Sequence, residues 1–252
     1  MTGDLPVTGV TVDLDDTLYP QSEWLEGAWS AVAVAAGRAG LDPSAVHAAL
    51  LRTCAEGSDR GGVVDRALAA VGLADERAAE LVPGLVRAFA AHRPAVLTPY
   101  PGVLEALGRL AAVLPVVVVT DGMPPVQHAK VEALGVRHLL AAVVVSDELG
   151  GRHLRKPDPA PFRRALEVLG QPPAGVVHVG DRPEKDVRGA AAVGMRSIRV
   201  ATGEYAGADP GRHRAWRTVP CFAEAVELCL AGAPAAPGPC RPAGTTGAAS
   251  RL

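Results

Sequence analysis

The run from Val7 to Leu14 lacks the strict alternation of a half-exposed hairpin and predicts a strand buried on both faces, as in a parallel sheet. From Gln21 to about Val96 the apolar spacing becomes helical throughout. Ser22 predicts the cap of a helix carrying Trp24, Leu25, Trp29, Val32 and Val34. Asp42-Pro43 predicts a second helix start, and Val63 to Val71 and Glu76 to Ala91 two more helices, the last interrupted near Pro83. From Pro101 onward helix and strand alternate. Helices at Val103 to Val113, Val126 to Leu134, Pro161 to Leu169 and Asp186 to Val193 each lead into a strand, at Val116 to Thr120, Ala142 to Val145, Val176 to Val179 and Ser197 to Val200. The alternation predicts an α/β fold with a parallel sheet of at least five strands and right-handed crossovers, the all-helical segment being inserted after the first strand. A last helix around Phe222 to Leu230 is expected to pack on the sheet. Residues 232–252, rich in Ala, Gly and Pro, predict a disordered tail.

Composition narrows the class of function. With 48% apolar residues, 21% charged residues and a formal net charge of -2, the chain reads as an ordinary globular protein with enough length for a well-buried core. Basic residues are scattered, which argues against a nucleic-acid partner; the one local positive region is Arg152, Arg155 and Lys156 with Arg163 and Arg164. Cys54, Cys221, Cys229 and Cys240 have neither paired nor zinc-type spacing and predict free thiols. The first residues carry no signal-peptide pattern and Pro115 breaks the most hydrophobic stretch, so a cytoplasmic protein without a membrane partner is expected.

The chemistry lies where the strands end. In an open parallel sheet the ligand site sits outside the carboxyl ends of the strands. Asp13 and Asp15 follow the first predicted strand, Thr120-Asp121-Gly122 the second, Ser146-Asp147-Glu148 the third, and Gly180-Asp181 with Asp186 the fourth. Asp13, Asp15, Asp181 and Asp186 gathered in a partly desolvated cleft would repel one another, and a hard divalent cation with oxygen ligands, Mg²⁺ by preference, is the counterion that chemistry favours. Lys156 adds a fixed positive charge.

Taken in order, Asp13-x-Asp15-x-Thr17, Thr120 at the end of a hydrophobic strand, Lys156-Pro157, and Gly180-Asp181 with Asp186 resemble the four motifs of the haloacid dehalogenase superfamily. The resemblance covers about residues 7 to 200 and extends to the phosphatases with a helical cap inserted directly after the first motif. It implies a Rossmann-like, doubly wound core of residues 1–19 and 97–231 and a cap domain of residues 20–96. It further implies that Asp13 is the nucleophile, forming an aspartyl phosphate, and that Asp15 is the acid and then the base. Thr120 and Lys156, with Asp121 and Gly122 beside them, would hold the phosphoryl group, and Mg²⁺ would be bound by Asp13, the backbone carbonyl of Asp15, Asp181 and Asp186.

Departures and neighbours refine this picture. Asp16 and Asp147 are expected to be turn residues without a catalytic role. Asp121 stands where Asn or a small residue is common, and Arg182, where a small hydroxyl residue is common, could reach a substrate carboxylate or second phosphate but is expected to pair with Asp186. Gln127 and Lys130 share one helix side and resemble a Gln-x-x-Lys pattern of relatives. Tyr19, Trp24, Trp29 and the Met123 loop are the expected specificity residues, the two tryptophans being equally explicable as cap core. Asp15 argues against dehalogenation, since halide needs no protonation. The expected activity is Mg²⁺-dependent hydrolysis of a small phosphorylated metabolite, the alternatives being a phosphomutase or a non-catalytic binder of a phosphorylated ligand.

Overall fold

A computed structural model of the chain describes residues 5–234 apart from 59, 210 and 212. The expected disordered tail therefore lies, for residues 235–252, outside the described residues. At the centre of the fold is β1 (Gly9–Val12), every residue of it buried. Parallel neighbours flank it on both sides, β2 (Val116–Thr120) and β4 (Val176–Gly180), which explains why the run reads as continuous rather than alternating. Beyond them lie β3 (Ala142–Val145), β5 (Arg196–Val200) and β6 (Arg217–Val219), in the order β3-β2-β1-β4-β5-β6, all parallel. After β3 the chain crosses to the far side of β1, so loops leaving β1 and β4 diverge and open a crevice above the sheet. Val10, Val12, Val116, Val118, Val177 and Val179 form the sheet side of the main core.

Between β1 and β2 come α1 (Gln21–Arg38), α2 (Pro43–Ala55), α3 (Val63–Ala70), α4 (Asp75–Ala91) and α5 (Val103–Ala111). The first four pack on one another around their own apolar cluster, which includes Trp29, Val32, Leu50, Val64, Leu68 and Leu85. Later come α6 (Pro124–Ala133), α7 (Pro159–Leu169), α8 (Arg188–Ala192) and α9 (Phe222–Ala231).

Several local expectations are corrected. Ser22 lies inside α1, whose N-cap is Pro20 with no side-chain cap, whereas Asp42 does cap α2, accepting from Ser44 and Ala45. Pro83 does not interrupt α4, which runs through it. The hydrogen bond missing there is offset by Leu85, Leu81, Val82 and Phe89, which anchor the helix to the insert's cluster. The turn before α8 is a π-helical segment over Pro183–Val187, not the first turn of a longer α-helix. Strand β6 is additional to the five read from sequence. Cys54, Cys221 and Cys229 are free thiols. Among the described residues no helix is long and apolar enough to cross a membrane.

Candidate active site

The first loop is held in place before any ligand arrives. Asp13 N donates to Val179 O at 2.8 Å, extending the β1–β4 register by one residue. Asp16 turns the chain at φ 57°, its side chain accepting from Gln21 N at 2.9 Å and its carbonyl accepting from the Thr202 hydroxyl. It is thus a turn residue, as expected. The loop directs Asp13 and Asp15 into one cavity of about 350 Å³ between the sheet and the helical insert. Thr120, Asp121, Gly122, Gln127, Lys130 and Lys156 line the same cavity.

Lys156 is the electrostatic centre. Its Nζ donates to Asp13 Oδ1, to Asp186 Oδ1 at 2.7 Å and to Val119 O at 3.2 Å. Burial opposes the lysine's charge, but Asp13 and Asp186 outweigh it and hold the ammonium above its ordinary range. Asp186 is likewise disfavoured by burial, yet Lys156 and His178 hold its carboxyl well below the usual carboxylate range. Asp13 is pushed up to about 7, burial and the Asp186 charge prevailing over Lys156. Thr17 donates to its other oxygen at 3.4 Å.

Asp181 differs from its neighbours. It is fully buried, and neither carboxylate oxygen has a hydrogen-bond partner. Burial and the nearby charges of Asp186 and Asp13 push it up to about 9. Ligand oxygens of Asp13, Asp181 and Asp186 lie within 4.8 Å of one another. Buried oxygen donors left unsatisfied in such a cluster suit a hard divalent cation, which would supply the missing partner and the missing charge. Among the described residues the side-chain cluster consists of Asp13, Asp181 and Asp186, while the side chain of Asp15 is held by Lys130.

A second group of residues holds Asp15. Lys130 Nζ reaches both its oxygens, Gln127 Nε2 donates to Oδ2 at 3.0 Å, and the Tyr19 hydroxyl donates to Oδ1. Burial would raise the Asp15 pKa, but Lys130 and these hydrogen bonds together lower it. Gln127 also donates to Thr120 Oγ1 at 2.6 Å, tying the end of β2 to the first loop. Spacing along α6 places Gln127 and Lys130 on the buried side, as their separation of three implies.

The remaining expected residues have these surroundings. Tyr19 is fully buried against Asp15, and Trp24 and Trp29 are also buried, although both line the cavity; Lys130 Nζ sits 4.4 Å from the Trp24 ring centroid. Asp121 accepts from Lys156 N at 2.9 Å and lies 3.4 Å from Lys185 Nζ, so its charge orders the loop around Lys156. Asp147 pairs with Arg155 through both oxygens. The expected side-chain pair of Arg182 with Asp186 is absent: Asp186 Oδ2 accepts from the Arg182 backbone N at 3.0 Å. The guanidinium turns instead toward Gln21, Ser58 and Glu204 and stacks 4.5 Å from the Tyr205 ring. His178 escaped the sequence reading. It is buried in β4, with Nε2 3.2 Å from Asp186 Oδ1 and Nδ1 2.9 Å from Thr11 Oγ1; burial lowers its pKa, and as neutral imidazole it donates to Asp186. Its only sequence signal is a polar residue within the apolar run of β4.

The chain is similar to known proteins. A family model described as haloacid dehalogenase-like hydrolase matches residues 7–194. Among curated relatives, a glyceraldehyde 3-phosphate phosphatase of Methanopyrus kandleri is 35% identical over 210 residues, 81% of this chain and 88% of the relative. A phosphoglycolate phosphatase of Rhodospirillum rubrum is 36% identical, covering 77% of this chain and 79% of its own. Among solved structures, a 2-haloacid dehalogenase from Pseudomonas syringae superposes with a TM-score of 0.63 at 27% identity, covering 90% of this chain and all of that one. A phosphatase from Thermococcus onnurineus gives 0.63 at 21% identity, covering 90% and 99%. The chain belongs to the haloacid dehalogenase-like hydrolases.

Proposed function

We propose that the chain is a phosphoric monoester hydrolase that uses Mg²⁺ and forms an aspartyl-phosphate intermediate on Asp13. The observation that carries this reading is the buried trio Asp13, Asp181 and Asp186, with neither Asp181 oxygen hydrogen-bonded, beside a lysine that touches the other two. When bound, Mg²⁺ supplies charge that lets the carboxylates and a phosphate dianion share one site. Asp13, Asp181 and Asp186 would hold it together with the backbone carbonyl of Asp15.

In the first step an oxygen of Asp13 attacks phosphorus; the new P–O bond forms as the bond to the leaving oxygen breaks, and Asp15 gives that oxygen its proton. Approach of the substrate dianion raises the Asp15 pKa against the pull of Lys130, so the acid form is available when it is needed. In the second step water attacks phosphorus, Asp15 takes the water's proton, and the P–O bond to Asp13 breaks to regenerate the carboxylate. Lys156 neutralises charge on the transferred group, and Thr120 Oγ1, already an acceptor from Gln127, turns its own hydroxyl hydrogen to a phosphoryl oxygen. The helical insert, residues 20–96, would act as the cap that closes over this cavity.

Asp15 also separates this chemistry from dehalogenation. The test is mass spectrometry of Asp15→Asn protein incubated with Mg²⁺ and p-nitrophenyl phosphate: a phosphoryl group on the peptide containing Asp13 is expected. Recovery of unmodified Asp13 peptide together with continued turnover would contradict the reading.

A further inference from the structure

Among the described residues, the cavity holds a cation that no carboxylate neutralises. Lys130 is paired with Asp15, Lys156 with Asp13 and Asp186, Arg155 with Asp147, Lys185 with Asp121, and Arg182 with Asp181 and Glu204. Arg152, in the short turn Arg152–Leu154 after β3, also lines the cavity, and among the described residues its guanidinium has neither ion pair nor hydrogen bond. It is exposed, so a ligand reaches it without displacing protein.

The guanidinium lies against the glycine loop of the helical insert. Its Nη2 is 3.2 Å from where a Cβ on Gly61 would stand, and Gly61 and Gly62 have φ of +71° and +58°. Arg66 holds that loop by donating to the Gly61 carbonyl. A side chain at Gly61 would crowd Arg152, so the loop as built leaves the cation accessible from the cavity. Asp65 lines the same wall, its Oδ2 3.8 Å from where a Gly62 Cβ would stand. That carboxylate repels a second phosphate, with its roughly doubled charge, more than it repels a monoanion. A guanidinium fork matches the two oxygens of a carboxylate.

We infer that Arg152 is a specificity-determining residue and that the substrates are phosphomonoesters whose leaving group carries a carboxylate. The inference rests on the phosphatase reading for its chemistry, but its test is binding. Asp13→Asn protein with Mg²⁺ is titrated by calorimetry with phosphoglycolate and with ethyl phosphate, which has a methyl group in place of the carboxylate. Phosphoglycolate should bind at least about tenfold tighter. Adding Arg152→Ala should abolish that preference, and Arg152→Lys should restore part of it, which a merely structural role would not do. Equal affinity for the two ligands, or a loss on Arg152→Ala that is the same for both, would overturn the inference. Hydrolysis of p-nitrophenyl phosphate by the chain with Asp13 intact is a separate readout: its absence defeats the phosphatase reading, while the affinity ratio still decides the role of Arg152.

Discussion

Lys130 Nζ donates to both carboxylate oxygens of Asp15, at 2.8 and 3.0 Å, from a position that is itself only 2% exposed. The pair fixes where the proposed acid and base stands and biases it toward the ionised form. Lys130→Met keeps the length of the side chain and removes its charge. It should raise the Asp15 pKa, move the acid limb of the rate profile to higher pH and lower turnover by about 10²-fold or more. Breaking a buried pair should also cost about 3–5 kcal/mol of stability, measured by urea unfolding.

Asp181 makes metal-free stability depend on pH. Its folded pKa, about 9, lies above the ordinary 3.8, so its contribution is fully present below about pH 4 and is lost as pH rises toward 9. Unfolding of the chelated protein should therefore become easier with rising pH, by up to about 1.4 kcal/mol per pH unit from this group. Saturating Mg²⁺ should flatten that slope and raise Tm, and Asp181→Asn should remove the response to Mg²⁺ and this group's share of the slope, leaving the share that Asp13 contributes between 3.8 and about 7. A Tm gain with Mg²⁺ that survives in Asp181→Asn would place the cation elsewhere.

A second titration lies far from the site. Burial pushes the Cys229 thiol from 9.0 up to about 12. The unfolded chain ionises first, so the contribution is intact below pH 9 and lost as pH rises toward 12. Cys229→Ala should flatten the alkaline limb of stability measured between these values.

Gly203 supports the first loop from behind. Its φ is +64°, and a Cβ there would fall 2.2 Å from Asp16 Cγ. Gly203→Ala should cost about 2–3 kcal/mol through strain and overpacking, and should lower turnover by displacing the turn that carries Asp13 and Asp15. Thermal unfolding and phosphate release, measured together, check both.

How much of this was legible in the sequence depends on whether the signal was local. Strands β1, β2 and β4 announce themselves because both their faces are buried, and the aspartates that end two of them are too costly there to be packing residues. Strand β6 is three residues long with Arg217 and Thr218 exposed, which leaves no apolar run to read. Continuity of α4 through Pro83 is decided by packing on the insert's cluster, a tertiary effect that overrides local propensity. The identity of partners was the least legible feature. Asp186 carries an acidic side chain that could equally face Arg182, Lys156 or His178, and only the fold selects the last two, leaving Asp181 without a hydrogen bond.

The most direct measurement of the central claim is phosphate release from a panel of phosphomonoesters, with and without Mg²⁺, by the intact chain and by Asp13→Asn. The account predicts release that requires Mg²⁺ and is lost in Asp13→Asn. Release by Asp13→Asn at the rate of the intact chain, or no release from any panel member by folded, Mg²⁺-loaded protein, would contradict it.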